Sequence, residues 1–236
     1  MALESRTRVA VVAAALALAS VGLGACGALP VHDVPGQDVA PPPGQQPTGS
    51  QVGQSRNQLA HLAVAPARGS GYRRTADFGP AWVLDADHNG CRQRDDVLRR
   101  DLTGVRTRGR CIVVAGTLRD PYTGGTAAFT KADAAQVQVD HVYPLGLAWR
   151  HGAAGWPQQR RIEFANDLAN LLATTAAAND SKSDQGPGEW MPSNRGFWCA
   201  YAVRYIGVAA RYRLSISAAD RTALTSALAT CRQASG

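Results

Sequence analysis

The chain has 236 residues, a formal net charge of +7, a pI near 9.5 and five cysteines. That length admits one domain of ordinary size with extensions, and no internal repeat is visible. The basic excess fits a polyanionic partner such as nucleic acid, anionic lipid or anionic wall polymer, without choosing among them. No Cys-x-x-Cys, Gly-x-Ser-x-Gly or His-Glu-x-x-His occurs, which argues against a structural zinc site, the common serine hydrolases and zinc peptidases.

Arg6 and Arg8 precede an apolar run over residues 9–25, the charged and hydrophobic regions of a secretory signal. The run ends Leu23-Gly24-Ala25-Cys26, similar to a bacterial lipobox, in which lipid is attached to the cysteine and cleavage precedes it. An ordinary secretory signal with Cys26 incidental is the alternative. Residues 1–26 are therefore read as the signal and residues 27–58, rich in Pro, Gly and Gln, as a disordered tether that buries too little apolar surface to offset its ordering entropy. Residues 59–236 form the domain, and contact with a membrane is expected only through the signal or a lipid anchor.

Within the domain, residues 60–64 read as a short strand or a helix turn, and Gly69-Ser70-Gly71 as a loop. A segment opening at Phe78 leads through Trp82 to a polar loop, residues 85–91. Val97, Leu98 and Leu102 have helical spacing over residues 95–102. Residues 111–115 form an apolar strand, residues 120–125 a turn, and residues 127–129 a returning strand. The clearest strand covers residues 136–143, with Val137 and Val139 on one face and Gln138 and Asp140 on the other. Residues 145–149 and 158–165 read as helices, 171–173 as a second strand, and 175–184 as a helix stopped by Gly186-Pro187-Gly188. Two helices over 196–212 and 218–232 close the chain, the last with a capping-box-like start at Ser217 and Asp220.

Four cysteines beyond Cys26 allow three pairings. Sequence proximity favours Cys91–Cys111 and Cys199–Cys231, with buried free thiols as the alternative. Cys199 and Cys231 are nearly equidistant from the turn at residues 213–217, so they meet at the open end of an antiparallel helix pair.

The chemistry concentrates between residues 137 and 184. Asp140-His141 closes the clearest strand, Asn170 opens the next, and Asn179 falls in the helix that follows. Strand, long loop, strand and helix can gather one base, one carboxylate and two amides around one cation. The ordered set is Asp140-His141-Val142-Tyr143-Pro144-Leu145, Phe164-Ala165-Asn166-Asp167, Asn170-Leu171-Leu172-Ala173 and Asn179-Asp180-Ser181-Lys182-Ser183-Asp184. It resembles the HNH, or ββα-metal, endonuclease superfamily. Within it, the nearest branch is the HNH-type domain at the C-terminus of GmrSD-type restriction enzymes, which also occurs as small exported bacterial proteins. The third position of the family pattern is often His, and here it is Asn179.

The resemblance implies an α+β fold, with a ββα-metal core, added helices, a small N-terminal β/loop region and disulfide staples. It implies an endonuclease acting on DNA, with RNA as an alternative substrate, and with little sequence preference; a monomer is expected. The implied cofactor is one divalent cation, Mg²⁺ first and Mn²⁺ second, held by the oxygens of Asp140 and Asn179. His141 becomes the general base, since its ordinary pKa lies near working pH, and Asn170 braces the loop that bears it. Lys182, one turn beyond Asn179, is expected to touch a phosphate, and His88 and Arg94 are candidate further substrate contacts. Taken singly, these residues have plainer readings: a surface ion pair, a turn residue, an exposed helix residue. The rival function is a non-catalytic basic surface protein that binds nucleic acid or anionic cell-wall polymer.

Overall fold

A computed structural model describes residues 44–82, 85 and 88–231. The signal, Cys26 and residues 27–43 of the tether lie outside the described residues. The first helix, α1 (Gly49–His61), starts inside the span read as tether. Thr48 and Gln51 form a reciprocal capping box that satisfies two of the free N–H groups at its start. Val52, Ser55 and Leu59, three and four residues apart, are buried on one face against the C-terminal helices. Residues 49–58, read from composition as disordered, are helical, because a narrow apolar stripe sits inside a polar, Gln-rich composition.

A short helix α2 (Arg74–Phe78) is followed by α3 (Gln93–Asp101) and a three-stranded antiparallel sheet, β1 (Leu102–Arg108), β2 (Ile112–Arg119) and β3 (Thr126–Thr130), in the order β1-β2-β3. Leu102 begins β1 instead of ending the helix. Most of β1 is solvent-exposed and its pairing with β2 is interrupted by register shifts. A polar, irregular edge of this kind resists pairing with other chains and carries no apolar alternation to betray it.

The second sheet is a hairpin of β4 (Val137–His141) and β5 (Leu171–Thr175), running straight into α6 (Ala176–Lys182) to complete a ββα unit. Its long connection holds α4 (Leu145–Arg150) and α5 (Gln158–Asn166). The chain ends in α7 (Trp198–Tyr212) and α8 (Ala218–Ala229), which pack on each other and on α1. The chain reverses between them at Arg213, whose φ of 56° lies in the left-handed region, and the Ser217–Asp220 capping box forms as expected. Among the described residues no helix is long and apolar enough to cross a membrane.

Two apolar clusters hold these parts. One joins α1, α4, α7 and α8 around Tyr143, Tyr201, Tyr205 and Phe164. The other joins α3, the three-stranded sheet and the hairpin through Val97, Leu98, Leu118, Phe129, Val137, Leu171 and Ala173. Full burial of Leu171 and Leu172 is worth about 1.5–3 kcal/mol each; they face opposite clusters, so a one-residue slip would swap their faces and force both clusters to repack.

Helix α3 also stitches the two sheets by polar contacts. Asp95 Oδ1 accepts from the Val113 amide of β2 at 2.9 Å, and Asp101 Oδ2 accepts from the Ala173 amide of β5 at 2.8 Å. Arg100 donates to the Leu168 and Leu171 carbonyls at 2.8 and 2.7 Å. Both disulfides, Cys91–Cys111 and Cys199–Cys231, are present in the pairing read from spacing.

Candidate active site

The hairpin brings Asp140 opposite Leu172 and His141 opposite Leu171. The regular pleat ends there, and the chain turns through Val142 and Tyr143. Asn170 holds that turn: its backbone carbonyl accepts from the Val142 amide at 2.8 Å, its Oδ1 from the Tyr143 amide at 2.8 Å, and its Nδ2 donates to the Tyr143 carbonyl at 3.1 Å. All of this is fully buried, so each bond replaces one that water cannot supply.

Asp140 and His141 are adjacent and reach in different directions, yet both border one open cavity of about 620 Å³. The cavity is also lined by Tyr72, Arg74, Trp82, Arg94, Gln138 and Asn179, and by the acidic side chains of Asp180 and Asp184. Asp184 packs so closely over α4 that a Cβ at Gly146 would lie 2.1 Å from its Oδ2, so this approach needs the glycine.

The imidazole of His141 is anchored at one nitrogen. Nε2 lies 2.8 Å from the Ala165 carbonyl at the end of α5. A carbonyl only accepts, so Nε2 carries the hydrogen and Nδ1 keeps its lone pair. Burial pushes the imidazole down to about 3, against the Ala165 bond and with help from the positive charges of Arg74 and Lys182. The ring is therefore neutral at physiological pH. The Trp82 indole lies nearly parallel to it, with an interplanar angle of 6° and centroids 6.3 Å apart.

Asp140 is held by two side chains. Tyr122 Oη donates to Oδ2 at 2.6 Å and Lys182 Nζ to Oδ1 at 3.0 Å. Lys182 Nζ also donates to the His141 carbonyl at 2.8 Å. Burial raises the Asp140 carboxyl, while Lys182 and Tyr122 pull it back. Burial likewise lowers the Lys182 ammonium, opposed by Asp140. Tyr122 is delivered by Asp120, whose buried carboxylate accepts from the Tyr122 amide and from the hydroxyls of Thr174 and Thr175 at the end of β5.

Asn179, on the first turns of α6, donates from Nδ2 to Gln138 Oε1 at 2.7 Å, which leaves its Oδ1 as the spare acceptor beside the cavity. Among the described residues no group of three His, Cys, Asp or Glu side chains is arranged to hold a metal. The donors on offer are the Asp140 carboxylate and the Asn179 amide oxygen. Two hard oxygens beside an open cavity fit a cation such as Mg²⁺, which keeps several waters and takes few protein ligands.

The structure brings Asp140, His141 and Asn179 to one cavity and sets Asn170 behind them. It does not support the other expected contacts equally. Lys182 is fully buried and turned inward, so it cannot meet a phosphate; a buried carboxylate draws its counter-charge inside. His88 is exposed and outside the lining of this cavity. Arg94 does line it, although its Nη2 is spent on the Ala134 and Val137 carbonyls at 2.9 and 2.8 Å. Tyr122, Trp82, Arg74 and Gln138 were not singled out by sequence, because none has a motif that ties it to residues 140 and 141.

Comparison with known proteins places the chain among relatives. A protein of Arthroderma benhamiae described as "Uncharacterized secreted protein" is 41% identical over 180 residues, covering 75% of this chain and 84% of the relative. That relative is fungal, so the resemblance to small exported proteins is not confined to bacteria. No solved structure gives a significant match. Residues 92–227, more than half the chain and spanning the whole ββα unit, match the family described as "GmrSD restriction endonucleases, C-terminal domain", and this chain belongs to that family.

Proposed function

We propose that this protein is an exported, metal-dependent endonuclease of HNH type that hydrolyses phosphodiester bonds in DNA, with RNA as the alternative substrate, and with little sequence preference. The observation that carries the reading is the geometry of His141: its ring is fixed through Nε2, which leaves the Nδ1 lone pair uncommitted, and it borders one cavity with Asp140 and Asn179. A fixed orientation and an uncommitted lone pair are what a general base requires; the burial that keeps the ring neutral also makes it a weaker base than a free imidazole.

His141 Nδ1 takes the proton of the attacking water. Asp140 and Asn179 would hold the divalent cation, Mg²⁺ or Mn²⁺. When bound, that cation supplies charge stabilisation to the phosphoryl oxygens and to the departing 3′ oxygen. Lys182 and Tyr122 fix the Asp140 carboxylate, whose remaining lone pairs stay available to a cation. Asn170 keeps the turn after His141 in place, which fixes the imidazole relative to its water.

Export rests on the N-terminal signal, the two disulfides and the similarity to a protein described as secreted. Lipid attachment at Cys26 belongs to the same proposal, as does action by a monomer. The test is nicking of supercoiled plasmid with Mg²⁺ or Mn²⁺, with and without EDTA. The His141→Ala variant should lose about 10²–10⁴-fold in rate. A wild-type rate from that variant, or full activity in EDTA, would overturn the reading.

A further inference from the structure

Two arginines line the cavity, and among the described residues Arg74 keeps all of its donors free while Arg94 commits Nη2. Arg94 bonds two main-chain carbonyls. Arg74 is exposed and makes no hydrogen bond or ion pair among the described residues, while it borders both the main cavity and the narrow cleft beneath Trp82 that reaches His141. Its backbone, by contrast, is fixed. Arg73 N donates to Asp77 Oδ2 at 2.6 Å, Arg161 Nε donates to the Asp77 carbonyl at 2.7 Å, and Gln158 Nε2 to the Ala76 carbonyl at 3.2 Å. Phe78 is buried between Tyr72 and Phe164. With the backbone held and the guanidinium unspent, only the side chain's own rotamer freedom is left to lose on binding.

The charge at the cavity gives this arginine a task. Asp140, Asp180 and Asp184 border the same space, and Lys182 points away from it. A polyanion approaching His141 needs a cation on the solvent side to offset those carboxylates. We infer that Arg74 binds a phosphate of the nucleic-acid substrate beside His141, the role that spacing alone gave to Lys182. The inference rests on the nuclease reading above. It also lies outside the matched segment of residues 92–227, so the family match does not supply it. The guanidinium donates paired N–H groups to two phosphate oxygens, which a single ammonium cannot do.

Binding is measured separately from cleavage by working in the His141→Ala background with Mg²⁺ present. The anisotropy of a labelled short duplex DNA gives Kd over a series of KCl concentrations. Arg74→Ala should weaken binding about 5- to 10-fold and flatten the slope of log Kd against log salt by about one. Arg74→Lys should keep the slope while recovering only part of the affinity, because charge survives and paired donation does not. Arg108→Ala, which removes the same charge from an exposed position on β1 outside this cavity, is the control and should change Kd less than twofold. In the parent with His141, Arg74→Ala should raise KM more than it lowers kcat. Equal effects of Arg74→Ala and Arg108→Ala on Kd and slope would overturn the inference. So would a change confined to the pH profile of kcat, which would place the arginine's action on the imidazole alone. Wild-type cleavage by His141→Ala would sink the role of His141 as base, and absence of metal-dependent cleavage by the parent would sink the nuclease reading, whatever Arg74 does.

Discussion

Lys182→Met tests how the site is built. The substitution keeps the length of the apolar stem and removes one ammonium. Lys182 has no exposed side-chain surface and Asp140 only 6%, with Nζ 3.0 Å from the carboxylate and 2.8 Å from the His141 carbonyl. Breaking a buried pair by removing one partner typically costs about 3–5 kcal/mol, because the other charge stays behind unpaired. Tyr122 still donates to Asp140, which places the expected loss at the lower end, about 3 kcal/mol. For a chain of this size that corresponds to a drop in Tm of roughly 6–12 °C.

The deficit should depend on pH. Without Lys182, burial raises the Asp140 carboxyl further above its unfolded value. A raised folded pKa contributes stability below the unfolded pKa and loses it as pH rises through the folded one. The gap between wild type and Lys182→Met should therefore be smaller near pH 5 than near pH 8. Urea unfolding at both pH values, followed by circular dichroism, measures it. Adding Asp140→Asn to Lys182→Met should restore most of the loss, since no uncompensated charge is left. A cost below about 1 kcal/mol for Lys182→Met, or a double variant no more stable than the sum of the singles, would refute the buried-pair argument.

Three further outcomes follow from the same geometry. Asn170→Ala strands the buried amide and carbonyl of Tyr143 and should cost about 2–5 kcal/mol in unfolding experiments, with kcat falling while DNA affinity measured by anisotropy stays put. His141 is depressed to about 3 in the folded chain against about 6.5 unfolded, so its contribution to stability is full above pH 6.5 and is lost as pH falls toward 3. His141→Gln should accordingly flatten that part of the acid unfolding curve, and an unchanged curve would contradict the neutral buried ring. Replacing Cys199 and Cys231 together by Ala opens a bridge with a sequence separation of 32 and should cost about 3–4 kcal/mol, seen as a lower urea midpoint.

Some of this site could be read from the chain because it is encoded by spacing. Val137 and Val139 alternate with Gln138 and Asp140, and the strand they predict is β4. Asn170 follows the strand by the length of one long connection and lands where it can hold Tyr143. The positions of Cys199 and Cys231 about the turn after α7 give their pairing, and Ser217 with Asp220 gives the start of α8. In each case the information lies in intervals along one element or across one reversal, and backbone geometry converts the interval into a neighbour relation.

What stayed hidden is set by burial rather than spacing. A three-residue interval puts Lys182 on the same side of α6 as Asn179, yet it says nothing about whether the ammonium ends in water or against a carboxylate. That is settled by Tyr122 and Asp140 closing around it, and Tyr122 is there only because Asp120 bonds Thr174 and Thr175 at the far end of β5. Arg74 and Trp82 are hidden for a related reason: each sits on a short, irregular segment held down by α5 and its neighbours. Helix α1 and strand β1 fail differently, since polar composition masks three buried side chains in one and exposure removes alternation in the other. The catalytic candidates are thus legible and their support is not, because one catalytic group is named by its chemistry whereas a supporting group is named only by what surrounds it. Substitutions at Lys182, Tyr122 and Asp120 should consequently move activity as much as those at recognisable site residues, although nothing in their spacing marks them.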